Sequence, residues 1–380
     1  MKILFYSTVL EVNSGISKKI KSQIESLQKN KKVKKIISTR YEKNDFFIGE
    51  EKVFTFKENN NLIGKVIKTL TLLPKMEKVT LKILKKEKID YFYIRHYVFN
   101  SKSVNFFKQI KALGVNIILE IPTYPYDKEK IGIISKIRLF QEKMIRNKLK
   151  KYIDYIVTYS EDQEIYGIKT INISNGINLA ELNFEKKEKK ILNKIVFTGV
   201  AMIDYWHGYD RFIDAIDLFL KNKKQMYELL FNIVGNGNEK EIKKLKEKVK
   251  RLNLEREVVF HGSKFGEELS SIYKETDIGV GSLGRHRSGI YTMKALKNRE
   301  YCAKGIPMIF SEDDVDFRKV PFVYHVSSDE EKIKIEDIIE WYKNLKFSSD
   351  EIKEYSKSFS WDIQMGKIID FILKDRGVEK

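Results

Sequence analysis

Cysteine and proline are nearly absent from this sequence, with one cysteine, Cys302, and five prolines in 380 residues. A lone cysteine has no partner within the chain, which excludes an intrachain disulfide and fits a reducing, cytoplasmic setting. Also missing is any run of about 18 apolar residues, the length a membrane-spanning helix needs, so the chain is expected to be soluble or to sit on a surface. The opening run is broken by Tyr6, Ser7 and Thr8, and no small-residue cleavage site follows. It reads as a buried first strand rather than a signal peptide. Acidic residues are in deficit, 53 against 72 Lys and Arg, for a net charge of +19. That excess suits nucleic acid, an anionic membrane or phosphorylated substrates, or reflects only a solvated lysine-rich surface; alone it selects none of them. No finger, helix-turn-helix or RNP pattern accompanies it, which disfavours nucleic acid. No His/Cys/carboxylate ligand cluster is recognised, so no metal is expected.

What is present is enough apolar residue, 42% of the chain, for two packed domains. Short β-branched or aromatic runs at 2–7, 34–39, 91–94, 116–120, 155–158 and 170–173 alternate with longer basic, helix-patterned stretches. The pattern resumes at 194–197, 228–234, 258–260, 278–281, 307–309 and 322–326. Such alternation predicts an α/β protein made of parallel βαβ units with right-handed crossovers. Asn175-Gly176 and the charged stretch after it mark a boundary. They divide the chain into domains 1–175 and 176–360 and a C-terminal helix, 361–380. Two such domains are expected to hold a ligand where the carboxyl ends of their strands meet in a cleft.

Loops after the strands carry the candidate site residues. Gly15 follows strand one and opens a helix beside Ser14, where backbone N–H groups can meet an anion or where Ser14 or Ser17 simply caps the helix. Gly199 follows the strand at 194–197, and His207-Gly208 precedes the next helix, so a phosphate contact at His207 is expected. Gly235 and Gly237 end another strand and leave room for a nucleoside, although a tight turn alone explains them. The richest segment runs from Ser282 to Ile309, where Arg285, His286, Arg287, Lys294, Lys297 and Arg299 gather around the start of a helix that also carries Glu300. Cations there oppose the helix dipole, which is understandable if an anion such as a diphosphate occupies the site. Glu300 is placed to accept ribose hydroxyls. In the first domain His96 and Glu120 end strands and are the candidate catalytic or acceptor-site groups.

These pieces resemble the group 1 family of retaining glycosyltransferases. The resemblance rests on Asn175-Gly176-Ile177, Phe197-Thr198-Gly199, Trp206-His207-Gly208, Val234-Gly235-Asn236-Gly237, Phe260-His261-Gly262, Arg299-Glu300-Tyr301 and Gly305-Ile306-Pro307, in family order and spacing. It implies the GT-B fold, two Rossmann-like domains with parallel sheets facing across a cleft. It further implies a UDP- or GDP-linked sugar donor with no other cofactor, a glycan or lipid-linked acceptor, and a role in capsule, exopolysaccharide or lipopolysaccharide synthesis. Nucleotide-sugar epimerase and inverting transferase are the alternatives on the same fold. The resemblance places the family's second glutamate at Glu300 and its first at Thr292, a departure from the pattern. Its diphosphate-gripping Arg/Lys pair is also missing from the loop after Phe197, so His207, Lys294, Lys297 or the cluster around Arg285 must supply that charge.

A last feature spans Lys130 to Lys151. Eight cations (Lys130, Lys136, Arg138, Lys143, Arg146, Lys148, Lys150 and Lys151) face a single acid, Glu142, with apolar residues at helical spacing. Either the helix packs its apolar face on the core, or it docks on an anionic inner membrane surface.

Overall fold

The computed structural model describes residues 1–8, 15–42, 44–55, 62–128, 133–179, 193–222 and 226–377. It divides into two compact units, residues 1–173 with 361–380, and residues 174–360. Each is a layered α/β unit on a parallel sheet.

The first unit runs β1 (Lys2–Tyr6), α1 (Gly15–Lys29), β2 (Lys35–Glu42), β3 (Asp45–Ile48), β4 (Glu51–Thr55), α2 (Leu62–Glu87) and β5 (Tyr91–Arg95). It continues with α3 (Ser101–Ala112), β6 (Asn116–Ile121), α4 (Ile133–Leu149), β7 (Tyr155–Thr158), β8 (Glu164–Ile165) and β9 (Ile168–Asn172). Its nine strands lie in the order β4-β3-β2-β1-β5-β6-β7-β9-β8. The central six are parallel, while β3, β4 and β8 pair antiparallel at the edges. Successive side chains point to opposite faces of a strand, so each central strand feeds two cores. Leu4, Tyr6, Phe92, Ile94, Ile117 and Leu119 pack on one side with side chains from α3 and α4. Ile3, Phe5, Tyr91, Tyr93, Ile118 and Val157 pack on the other with α1 and the helix Trp361–Asp375.

The second unit comprises β10 (Lys194–Val200), α5 (Tyr209–Lys221), β11 (Glu228–Val234), α6 (Glu239–Arg251), β12 (Val258–Gly262), α7 (Gly266–Glu275) and β13 (Ile278–Val280). Then follow α8 (Leu296–Ala303), β14 (Met308–Phe310), β15 (Val323–His325), α9 (Ile335–Lys343) and α10 (Ser349–Ser356). All six strands are parallel, in the order β12-β11-β10-β13-β14-β15. Tyr209, Phe212, Ile213, Ile216 and Phe219 repeat at helical spacing and bury one stripe of α5 against Phe197 and Phe231. On the opposite face Tyr301 and Cys302 of α8 pack with Tyr273, Met308 and Phe310. The last helix, α11 (Trp361–Asp375), belongs to the first unit.

Strands β3 and β4 were not expected. They form a two-residue hairpin through Gly49 (φ +59°) and Glu50 at the sheet edge, too short and too charged to stand out by periodicity.

Candidate active site

In an open parallel sheet, ligands meet the carboxyl ends of the strands, where loops and helix starts converge. In the second unit β10 leads into a single 3-10 turn, Tyr205–His207, capped by the Asp204 side chain. Gly208 then takes a left-handed conformation (φ +63°) and opens α5. A Cβ there would lie 2.5 Å from the Gly284 backbone nitrogen, so only glycine lets the two loops approach. Leu283 N–H donates to His207 O at 2.8 Å across the same contact.

His207 is thereby held among cations. Its Nδ1 meets the Asp204 backbone, with the N–H at 3.0 Å and the carbonyl oxygen at 3.2 Å; in the tautomer that accepts from the N–H, the proton lies on Nε2 as a donor. Burial, with the charges of Lys297 and Arg285, pushes its pKa well below the ordinary histidine value. The ring is therefore neutral near pH 7. It can donate one hydrogen bond to a phosphate but cannot supply the missing charge.

Lys297 can. It sits in the first turn of α8 with its ammonium buried and without a hydrogen-bond partner, 5.9 Å from the centre of the Tyr209 ring. Burial lowers its pKa to about 8, with Glu312 and Glu300 opposing and Arg285 adding to that shift. Arg285 is buried and lies over the Trp206 ring at 5.5 Å. Glu312, just after β14, accepts from Asn298 Nδ2 at 3.1 Å and leaves its other oxygen unbonded. Burial raises its pKa, against the charge of Lys297. Glu300 is half-buried at the edge of this group. An unsatisfied buried ammonium costs free energy. It is understandable where an anion completes the site.

The other cations of the segment have partners within the fold. Arg299 is fully enclosed and clamped by Asp314 and Asp316, with Nε donating to Ser174 Oγ at 3.1 Å. Lys294 is buried and its charge acts on Asp316. Arg287 is bidentate to Asp210 at 2.8 and 2.9 Å and also bonds Glu330, while His286 Nε2 lies 2.7 Å from Glu330. Asp314-Val315-Asp316 places two carboxylates at i and i+2, a spacing that could hold a cation, but the guanidinium of Arg299 occupies both. Among the described residues no group of three or more His, Cys, Asp or Glu side chains is placed to bind a metal.

The glycines after the strands are explained by packing. The space a side chain would need at Gly235 and Gly237 is filled by the backbone of Ala201 and Ile203, and at Gly199 by the Tyr209 ring. Chain packing alone is enough to demand glycine there. Thr292 is exposed and bridges to Asp313.

In the first unit Glu120 is fully buried at the end of β6. It accepts from Arg95 Nη1 at 2.5 Å, Tyr93 Oη at 2.7 Å and Gln23 Nε2 at 2.8 Å, with Lys19 Nζ 3.7 Å away. Burial alone would raise the Glu120 pKa, but Lys19 and Arg95 hold it below the usual carboxylate range. A carboxylate so enclosed serves the fold as a counter-ion to Lys19 and Arg95. Burial lowers Lys19 to about 7 against the pull of Glu120.

His96 follows β5, and its Nε2 lies 3.2 Å from Glu142 Oε1 on α4. Glu142 also accepts from Tyr126 Oη, and Arg146 Nη2 approaches it to 3.6 Å. Burial opposes ionisation of Glu142, yet the bonds from His96 and Tyr126 and the charges of His96 and Arg146 keep its pKa below the ordinary value. Sequence reasoning passed Glu142 over as the lone acid of a basic helix. Its position was the signal: it stands on the same helical line as Leu139, Ile145 and Leu149, all buried. Gly15 is exposed at the first position of α1. Ser14, its expected companion, lies outside the described residues.

Residues 181–314 match the family model for glycosyl transferases group 1. By sequence, no curated protein matches the chain. By structure it is similar to sucrose-phosphate synthase from Thermosynechococcus elongatus, with a TM-score of 0.68, 14% identity and full coverage of both chains. It is also similar to Anabaena HepE in complex with UDP-glucose, with a TM-score of 0.62, 13% identity, and 98% of this chain and 100% of that one covered. The lipopolysaccharide outer core galactosyltransferase WaaB is a third such structure, with a TM-score of 0.58, 14% identity, and 99% and 100% covered. At these identities the structural likeness establishes the fold, mixed α/β with two parallel-sheet domains of GT-B type. Family segment and fold agree: residues 181–314 match the group 1 glycosyl transferases, and they lie within a chain whose fold is of GT-B type.

Proposed function

We propose that the chain transfers a hexose-type sugar from a UDP- or GDP-linked donor to a glycan or lipid-linked acceptor, with retention of anomeric configuration. In this reading it works peripherally at the inner face of a membrane, in cell-surface polysaccharide synthesis. The observation that carries the donor side is the buried, unbonded ammonium of Lys297 beside Arg285 and His207. A leaving diphosphate develops charge as the sugar bond breaks, and cations fixed in a desolvated site stabilise that charge without reorganising. Lys297 and Arg285 supply the charge, His207 Nε2 a hydrogen bond, and Glu300 accepts the ribose hydroxyls. No metal is required in this scheme. That Anabaena HepE was solved with UDP-glucose supports a nucleotide sugar as the donor class.

One observation favours a second reading. A histidine held by a buried carboxylate, as His96 is by Glu142, is suited to general-base work on an acceptor hydroxyl. That chemistry belongs to inversion. In the retaining reading the same pair positions the acceptor, and the departing phosphate takes its proton. The product anomer, followed by NMR, separates the two.

The donor assignment is tested by calorimetry of UDP and GDP binding. Lys297→Met should weaken binding by about 10- to 100-fold, the range for a hydrogen bond to a charged group. Its melting temperature should hold or rise, because a buried unbonded charge is removed. Arg299→Met should instead lose about 3–5 kcal/mol of stability by stranding two carboxylates. Undiminished affinity in Lys297→Met would remove the basis of the proposal.

A further inference from the structure

The sequence of α4 predicts one apolar face, but the helix in fact has two. Leu139, Ile145 and Leu149 are buried in the core of the first unit together with Glu142. Ile137, Phe140 and Met144 point outward, 54%, 66% and 68% exposed. They follow one another at i, i+3 and i+7, so they form a stripe on a second face of the helix. The core already has its share of α4, and solvating a phenyl ring and a methionine side by side gains the fold nothing.

Around this stripe the charge is predominantly positive. Lys136, Arg138, Lys143 and Lys148 are exposed on the same helix, followed by Lys150 and Lys151. The one acid of the segment, Glu142, faces inward. Lys143 is partly neutralised by Asp127 at 2.9 Å. Among the described residues no ion pair engages Lys136, Arg138, Lys148 or Lys151 within 4 Å.

We infer that this outward face of α4 docks the chain on an anionic lipid bilayer, Ile137, Phe140 and Met144 entering the acyl boundary while the surrounding cations meet lipid phosphates. The inference rests on the peripheral-membrane part of the proposed function and is independent of the donor chemistry. Charge complementarity selects the occupant. A second copy of the chain set face to face would bring two basic rims together, whereas a bilayer offers apolar depth beneath a negative surface. The inner face of the same helix bears Glu142, which holds His96. Docking therefore brings the acceptor side of the first unit to the lipid, where a lipid-linked glycan presents its head group.

The experiment is co-sedimentation of the full chain with vesicles of pure phosphatidylcholine and of phosphatidylcholine with 30% phosphatidylglycerol, a composition of roughly physiological charge. Binding is expected only to the anionic vesicles and should weaken with salt. Phe140→Ser with Met144→Ser should reduce it at least about tenfold. Lys136→Glu, Arg138→Glu and Lys148→Glu together should reduce it about 100-fold, since each cation near such a surface contributes roughly fivefold. These side chains are exposed, so melting temperature and UDP affinity should stay at wild-type values in both variants. Wild-type binding that both variants retain would leave a membrane role standing but overturn this surface. No binding of the wild type to anionic vesicles would overturn the membrane reading itself. Concentration-dependent dimers abolished by the Phe140/Met144 variant would assign the stripe to a second copy instead.

Discussion

Lys297 and Arg299 stand two residues apart on α8, and their surroundings give them opposite uses. Arg299 has two carboxylates, a serine hydroxyl and a backbone carbonyl around its guanidinium, so its donors are spent within the fold. The Lys297 ammonium is just as hidden from water but has no bond to spend. A buried charge left unsatisfied depresses stability, and folds keep such groups where binding needs them. The consequence can be read from pH. An anion is held by the charged ammonium, and burial sets the pKa of Lys297 at about 8. UDP or GDP affinity should therefore be level below that pH and fall about tenfold per unit above it, because each unit adds about 1.4 kcal/mol for protonating the amine. Calorimetry from pH 6.5 to 9.5 checks this. Level affinity to pH 9.5 would assign the anion to Arg285 rather than Lys297.

Among the elements, the two loops that bracket α5 and α8 form one device. The 3-10 turn at Tyr205–His207 orients the His207 ring through Asp204, and Gly208 lets that turn rest on Gly284. Gly208→Ala would force a side chain into both a left-handed backbone and a neighbouring peptide, at a cost of about 1–3 kcal/mol. Melting temperature should drop by several degrees, and UDP affinity should fall with it as His207 and Arg285 part. An unchanged melting temperature would show that the loops do not depend on this contact. The motif order Trp206-His207-Gly208 was legible in the sequence. That its glycine serves a backbone contact with residue 284 was not, because residues 76 positions apart along the chain meet only through the sheet order β10-β13.

At the scale of the molecule, the alternation of strands and helices forecast two parallel sheets, and the chain divides into its two units between Ile173 and Ser174. The C-terminal helix is where chain order and spatial order part. Although it follows the second unit in the chain, α11 buries Trp361, Met365, Ile368, Ile369 and Ile372 in the core of the first. Five such side chains contribute at most about 7–15 kcal/mol, comparable with the whole stability of a domain. Deleting residues 361–380 should abolish amide exchange protection in β1, β5 and β6 and spare β10, β11 and β13. Protection retained in the first sheet would show that α11 is dispensable there.

Periodicity and local residue order were enough to determine that the chain builds two α/β units and that the segment similar to group 1 glycosyl transferases lies in the second, since strand alternation and loop chemistry act over a few residues. Which cation of the 285–299 segment is left to meet an anion, which acid holds His96, and which face of α4 stays in water were decided only in three dimensions. Asp314, Asp316, Glu330 and Asp210 claim their partners from other loops, and burial and pairing depend on neighbours that the order of residues along a chain does not contain.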